Sequence, residues 1–306
     1  MLLMPLTLDH CLPWAELLAL SFDRTVSETA QVLTWLHEAY RVTAWGAWEA
    51  DRLVAQYACL RRRVIVNGRP HEAGMSLNMS VHPDFRGRGL IKQVSKPVYE
   101  QLQAEGVLLG VGFSNAEGVK VDRHSKGYGY QVVGQMTSTL AYLRPLPATQ
   151  SLTLSETMPA GDWPVGGNAD AIHFEVSAQS IYHRYMRHPF RRYRYGIWEE
   201  GGEILGIVIY RTLRQRPGVA LLAAYGHDLR ELLRRWSSSV CATGVRFVHT
   251  LTTPNADLRR ALAQISLSTP IPYTRSPYFL TLKPLSGAAE NLLDFAAWDC
   301  MGGDIL

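Results

Sequence analysis

The segment SLNMSVHPDFRGRGLIKQVSKPVYEQL, residues 76–102, constrains this chain more than any other. Its first residues read as a strand, which stops at Pro83 because proline has no N–H to give a sheet ladder. Arg86-Gly87-Arg88-Gly89 then makes a tight turn, and an amphipathic helix runs from Leu90 to about Glu105, closed by Gly106. A helix start of this kind exposes unpaired backbone N–H groups and the positive end of the helix dipole. Gly87 and Gly89 let a phosphate approach the backbone, while Arg86 and Arg88 add positive charge, so the expected ligand is a pyrophosphate. The common nucleotide fingerprints do not fit: no GxGxxG follows a strand, and no GxxxxGK precedes Ser or Thr. On these residues alone, an ordinary strand–turn–helix with two convenient glycines competes with the phosphate reading.

The rest of the first half reads as alternating strands and helices. Residues 2–8 form a short strand, followed by helices near 11–21 and 26–39. Val42–Glu49 and Leu53–Val66 form a hairpin about Ala50-Asp51-Arg52, and Asn67-Gly68 launches a strand over Glu72–Val81. Val107–Phe113 is a buried strand, and Tyr130–Gln135 another after the turn at Lys126–Gly129. Residues 144–170 then collect Pro145, Pro147, Pro159 and Pro164 with Gly161, Gly166 and Gly167, the signature of a crossing between two units. The second half repeats the grammar: strand 171–177, helix 178–187, a hairpin about Gly201-Gly202, strand 218–225, helix 228–239, strand 245–250, helix 255–265 and strand 278–283. The expected division is 1–145 and 165–306, in keeping with 306 residues as two domains. The apolar tail 288–306 is expected to pack on the body, since Leu292, Phe295 and Trp298 would be wasted in water.

Composition narrows the partners. A net charge of +4 over 306 residues is too weak to argue for nucleic acid. No stretch approaches 18 uninterrupted apolar residues, and the N-terminus lacks a basic region before its apolar residues, so neither a membrane span nor a signal peptide is expected. Cys11, Cys59, Cys241 and Cys300 are widely separated, there is no HExxH, and the ten histidines are scattered; no metal is expected, and a reduced cytoplasmic protein fits.

Residues 76–136 resemble the GCN5-related N-acetyltransferase (GNAT) superfamily. Val81, Pro83, Arg86 and Gly89 match its cofactor segment in register, with Ile91 where the family often has Gly or Ala. Asn115 matches an asparagine beside the pantetheine arm, and Gly129-Tyr130 matches a Gly-aromatic pair that opens the next strand. The resemblance implies acetyl-CoA as cofactor, held by Met79, Val81, Arg86, Gly87, Arg88, Gly89, Leu90 and Asn115, with the strand at Met79–Val81 splayed from its neighbour. It implies an α/β (α+β) fold of tandem GNAT-like units, each a central, mostly antiparallel mixed sheet flanked by helices, the first catalytic and the second degenerate and shaping the acceptor site. Residues 182–211, with Trp298, Gly303 and Asp304, resemble tandem members acting on amino sugars and related small amines. The implied reaction is acetylation of a primary amine on an amino sugar or nucleotide-linked amino sugar. An aminoglycoside or protein amine, or a non-catalytic acyl-CoA sensor, are the alternatives.

Acetyl transfer needs an amine made neutral, a stabilised oxyanion and a proton for the leaving thiolate. In the superfamily a backbone N–H on the splayed strand, here at or near Val81, holds the oxyanion. Residues 76–81 carry no carboxylate to act as base; Asn78, sharing a strand face with Ser76 and Ser80, could orient water or substrate. His124 and Tyr128 are the candidates for the acid, because the family places a tyrosine in that window. In some tandem relatives the C-terminus reaches the N-terminal site, which makes Asp299, Asp304 or the Leu306 carboxylate candidate bases. His82, at a strand end beside Pro83, reads as structural or solvent-exposed. Tyrosines and arginines alternate from Tyr182 to Tyr195 and could stack on a base and meet phosphates, or could simply pack. Exposed sheet edges and this tyrosine-rich half also admit a homodimer.

Overall fold

The computed structural model describes residues 1–123, 129–144, 152–163, 165–168, 170–213, 218–271 and 277–305. The first half gives β1 (Leu2–Pro5), α1 (Cys11–Phe22), α2 (Val26–Ala39), β2 (Val42–Glu49), β3 (Arg52–Val66), β4 (Arg69–Val81), α3 (Leu90–Ala104), β5 (Leu109–Ser114), α4 (Ala116–Arg123), β6 (Gln131–Gln135) and β7 (Thr137–Leu143). The second gives β8 (Thr153–Ser155), β9 (His173–Phe174), α5 (Ala178–Met186), β10 (Arg194–Glu200), β11 (Glu203–Thr212), β12 (Gly218–Gly226), α6 (Leu229–Ala242), β13 (Phe247–Thr252), α7 (Asp257–Ile265), β14 (Ser266–Pro270) and β15 (Phe279–Pro284). Among the described residues no helix is long and apolar enough to cross a membrane.

Two mixed sheets result, with strand orders β1-β2-β3-β4-β5-β15-β6 and β14-β7-β13-β12-β11-β10-β8. In the first, β1–β2, β2–β3 and β5–β15 pair antiparallel while β4 and β5, joined through α3, run parallel. In the second, β12 and β13, joined through α6, run parallel beside the antiparallel pairs β11–β12 and β13–β7. Both faces of the first sheet are covered, so β3 is continuously buried from Leu53 to Leu60 instead of alternating. Trp14, Leu17, Leu18 and Leu33 of α1 and α2 pack on one face, and Val94, Val98 and Leu102 of α3 on the other with Tyr57 and Cys59. The second sheet is covered likewise, by α6 and α7 through Trp236, Leu258 and Leu262, and by α5 through Ile181 and Tyr185. The tandem α/β architecture expected from the sequence is present.

The division of the chain differs from the expected 1–145 and 165–306. One compact unit comprises Met1–Val64, Pro70–Gly134 and Tyr278–Asp294; the other comprises Ile65–Arg69, Gln135–Pro277 and Phe295–Leu306. Each half gives a strand to the other's sheet. β15 lies beside β5, where Leu280 and Leu282 face Phe113 and Val111, and β7 lies beside β13, where Ala141 faces Val248. The Pro/Gly-rich stretch marks where regular structure lapses, and that is not where the two cores separate.

Candidate active site

β4 and β5 form the decisive geometry of the first unit. Leu108 N–H bonds the Glu72 carbonyl at 2.9 Å, and the parallel register then joins Ala73–Met75 to Leu109–Val111. Beyond that last pair β4 continues to Val81 and β5 to Ser114, but the two have parted. β5 stays with β15 as far as Ser114↔Phe279, and β4 stays with β3, His82 N–H bonding the Val54 carbonyl at 2.8 Å, so the sheet opens along the line between them. Asn78 supplies the turn: its φ of 47° is left-handed, a conformation that costs an L-residue about 1–2 kcal/mol. The Gln56 side-chain amide holds it by donating to the Asn78 carbonyl. The bend also breaks the strand's alternation. Ser76 bonds Tyr57 in the layer beneath α3, whereas Ser80 bonds Ser21 of α1 and Asn78 stands beside Leu18, Phe22 and Leu33. The expectation that Ser76, Asn78 and Ser80 share one face is therefore corrected.

At the open end of the fork Gly87 and Gly89 have φ of 77° and 71°, and a Cβ on either would meet nothing within 4 Å. Gly89 is the N-cap of α3 and offers no side-chain cap, so the first N–H groups of the helix point outward unpaired by any cap. Arg86 and Arg88 are exposed and brace the turn, Arg86 Nε donating to the Val81 carbonyl at 3.3 Å and Arg88 Nη2 to that of Asp84 at 3.1 Å. Met79 and Val81 pack against the core under α3, and Leu90 is buried there. His82 is structural: it is buried, bonds Arg52, and accepts the Asp84 N–H at 3.3 Å. Asn115 follows β5 and caps α4, its exposed side chain accepting the Gly118 N–H through Oδ1 at 2.9 Å. Gly129, at φ 86°, lies against Lys283 of β15, and Tyr130 is buried. His124, Tyr128 and Leu306 lie outside the described residues.

The second unit has the same fork, but it is filled. The β12–β13 register stops at Leu221↔Thr250, and immediately beyond it the C-terminal segment enters. Met301 bridges Thr252, Thr253 N–H bonds the Cys300 carbonyl at 3.0 Å, and Gly303 fits against Ala223, Leu222 and Tyr185. The helix start is closed too: Asp228 caps α6 by accepting the Glu231 N–H at 2.9 Å, and Glu231, bonded by Arg234 and Arg235, is held down at a pKa of about 2. Two carboxylates stand where a phosphate would need bare N–H groups.

A cleft of about 230 Å3 in this unit is lined by Asn168, His173, His227, Asp257, Asp299 and Asp304 among others. Asp299 and Asp304 are thus parts of the second unit, and both already serve backbone there: Asp299 Oδ2 accepts the Asp257 N–H at 3.2 Å, and Asp304 Oδ2 that of Met301 at 2.8 Å. The first replaces a cap that Ala256 cannot give α7. Burial, aided by the charges of Asp257 and Asp304, pushes Asp299 up to about 6. The native state therefore keeps this proton in the pH range where the unfolded chain, with an ordinary aspartate, has lost it. The contribution of Asp299 to stability is full below about pH 4, declines as pH rises to about 6 and is lost above it. Asp299→Asn, which retains an acceptor oxygen, is expected to raise the melting temperature at pH 8 and to remove that decline; a melting curve series from pH 4 to 8 checks it.

The alternating Tyr/Arg stretch belongs to packing. Tyr185, Tyr193 and Tyr195 are buried in the core with Ile181, Ile207 and Tyr225. Arg184 donates to the Ile305 carbonyl at 2.7 Å, and Arg194 pairs with Glu156 at 2.8 Å. Among the described residues no group of His, Cys, Asp or Glu could hold a metal ion.

The first unit thus presents a mixed sheet forked at a parallel pair, with a glycine-lined, uncapped helix start at the mouth of the fork that suits a phosphate group. Residues 3–132 match the family model described as acetyltransferase (GNAT) domain. The fold is shared with solved structures of low identity. A probable N-acyltransferase from Enterococcus faecalis V583 is 12% identical with a TM-score of 0.69 over 93% of this chain and 72% of that one. A GCN5-related N-acetyltransferase from Anabaena variabilis is 10% identical with a TM-score of 0.68 over 93% and 73%. A tandem GNAT protein from the clavulanic acid biosynthesis pathway is 13% identical with a TM-score of 0.54 over 93% and 98%. No curated protein matches the chain.

Proposed function

We propose that this chain is an acetyl-CoA-dependent N-acetyltransferase that acetylates a primary amine of a small molecule, an amino sugar or a nucleotide-linked amino sugar, by direct attack in a ternary complex. The observation that carries this reading is the contrast between the forks: among the described residues that of the first unit is open with an uncapped helix start, and that of the second is filled by residues 301–304 and closed by acids. Gly87, Gly89 and the N–H groups from Leu90 onward would hold the pyrophosphate, with Arg86 and Arg88 adding charge. The backbone of Met79–Val81 would pair with the pantetheine amides, and a backbone N–H there would face the thioester oxygen. Asn115 would donate to the arm. The cofactor supplies the activated acetyl group. Asn78, aimed at the α1–α2 side, would orient the acceptor or a water, while Tyr128 or His124 would return a proton to the thiolate.

The filled second fork makes the stoichiometry a prediction: calorimetric titration is expected to give one acetyl-CoA per chain, not two. Thiol release measured with acetyl-CoA across amino sugars, nucleotide-linked amino sugars, aminoglycosides and a lysine peptide tests the acceptor. Turnover with the sugars supports the reading. Tight binding with no thiol release from any acceptor would replace the enzyme by an acyl-CoA sensor.

A further inference from the structure

A chain of three hydroxyls lies beneath the open fork. Tyr57 of β3 and Tyr99 of α3 are both buried. Tyr57 Oη–H donates to Ser76 Oγ at 2.8 Å, and the two tyrosine hydroxyls bond each other. A phenol has one proton; that of Tyr57 is spent on Ser76, so Tyr99 is the donor to Tyr57. The order is therefore Tyr99 to Tyr57 to Ser76, and it ends on a serine whose own proton finds no acceptor among the described residues. Ser76 is half-buried and is the first residue of β4 past the last parallel pair, Met75↔Val111. Across from it on β5 stands Gly112, whose Cβ, were there one, would lie 3.8 Å from that of Ser76. A free donor thus sits at the root of the fork.

Burial raises the Tyr99 hydroxyl well above the usual tyrosine range, so the head of the chain is a fixed dipole and not a source of protons. Each bond in such a series polarises the next, which makes the terminal serine a stronger donor than an isolated one. Burying phenol oxygens is costly unless they are paired; here Cys59 and Tyr130 stand beside the two phenols, and the pairing reaches the fork at Ser76.

We propose that Ser76 donates a hydrogen bond to the acyl-CoA arm at the root of the fork, and that Tyr57 and Tyr99 are positioning residues that keep its proton turned toward that arm. This rests on the cofactor reading of the first unit. No proton changes hands; the serine orients the arm, and the two tyrosines act through it.

Calorimetric titration of the full chain with acetyl-CoA tests the inference. Ser76→Ala is expected to raise Kd about 10-fold, the loss of one well-made hydrogen bond, and Ser76→Thr, which keeps the hydroxyl, to stay within about twofold of the native chain. Tyr57→Phe is expected to raise Kd about threefold, and the double variant Tyr57→Phe/Ser76→Ala to match Ser76→Ala alone, because the tyrosine works only through the serine. Should Ser76→Ala fail to fold, Ser76→Cys, a poor donor of similar size, takes its place against Ser76→Thr. A Ser76→Ala affinity within twofold of native, or effects of the two substitutions that multiply, would overturn the proposal. A native chain that binds no acetyl-CoA would instead overturn the cofactor site itself.

Discussion

Gly89→Trp is expected to raise the Kd for acetyl-CoA at least about 100-fold while leaving the far-ultraviolet circular dichroism unchanged. Gly89 is both the N-cap of α3 and a left-handed residue at φ 71°. Its surroundings are open, so the added Cβ meets no neighbour and the indole takes the space before the first helical N–H groups. Three or more N–H bonds to phosphate oxygens would be lost together, each charge-assisted and worth about 1.5–3 kcal/mol, which is ample for two orders of magnitude. The left-handed backbone alone costs about 1–2 kcal/mol in stability, and this needs a control. Gly68→Trp supplies it. Gly68 has φ 70° and equally open surroundings, but it lies in the β3–β4 turn at the other end of β4, about 40 Å of extended strand from Val81. It should show a similar small drop in melting temperature with unchanged binding. If Gly89→Trp binds acetyl-CoA as the native chain does, or if both variants lose it equally, the pyrophosphate does not sit at this helix start.

What could be read from the sequence was what is local. Pro83, the two glycines and the helix that begins at Leu90 are determined by a few adjacent residues, and the structure has them where the spacing puts them, within one residue at the far end of α3. The same locality explains the hairpins and both crossover helices. What was hidden was long range. β15 meets β5 across more than a hundred and fifty residues of chain, and β7 meets β13 across more than a hundred, and nothing in TSTLAYL or FLTLKP names a partner. The domain boundary therefore could not be placed by composition, because proline and glycine report a loop and not the seam between cores. The left-handed Asn78 was equally illegible. Asparagine tolerates that conformation, but only the splay of β4 demands it. The Ser76–Tyr57–Tyr99 chain joins three elements and leaves no pattern in any one of them. The Tyr/Arg alternation had a simpler meaning than nucleotide recognition: around Tyr193 and Tyr195 it is the period of a strand, with aromatic residues turned to the core and Arg192 and Arg194 outward. The apolar tail was correctly expected to pack, but which fork it enters required the fold.

Trp298→Ala is expected to lower the melting temperature by about 10 °C. Trp298 is fully buried and lies 6.4 Å, centroid to centroid, from Phe174. Its backbone fixes the segment that fills the second fork: the Trp298 carbonyl accepts from Thr253 Oγ1 at 2.6 Å, and the same hydroxyl oxygen accepts the Cys300 N–H at 3.0 Å. On either side, Ile172 N–H bonds the Ala297 carbonyl at 2.7 Å and Asp299 N–H bonds that of Ile172 at 2.8 Å. Removing a buried tryptophan costs about 3–5 kcal/mol through lost transfer energy and the cavity left behind. For a unit of this size each kcal/mol is worth about 2–4 °C, which gives the expected shift. The more telling reading is chemical. With its anchor gone, the segment that carries Met301 to Asp304 can leave the β12–β13 fork, and the backbone N–H of Thr253, which bonds the Cys300 carbonyl, regains exchange with solvent. Hydrogen exchange at that amide should accelerate in Trp298→Ala well beyond the change at Val208 and Val219, which sit deeper in the same sheet. Yet the variant should not gain a second acetyl-CoA, because Asp228 still caps α6 and Glu231 still carries its charge there. A melting temperature within 2 °C of native, or uniform exchange across the sheet, would show that the tail merely rests on the second unit. A stoichiometry of two would show that the plug alone, and not the acidic helix start, is what keeps the cofactor out of that fork.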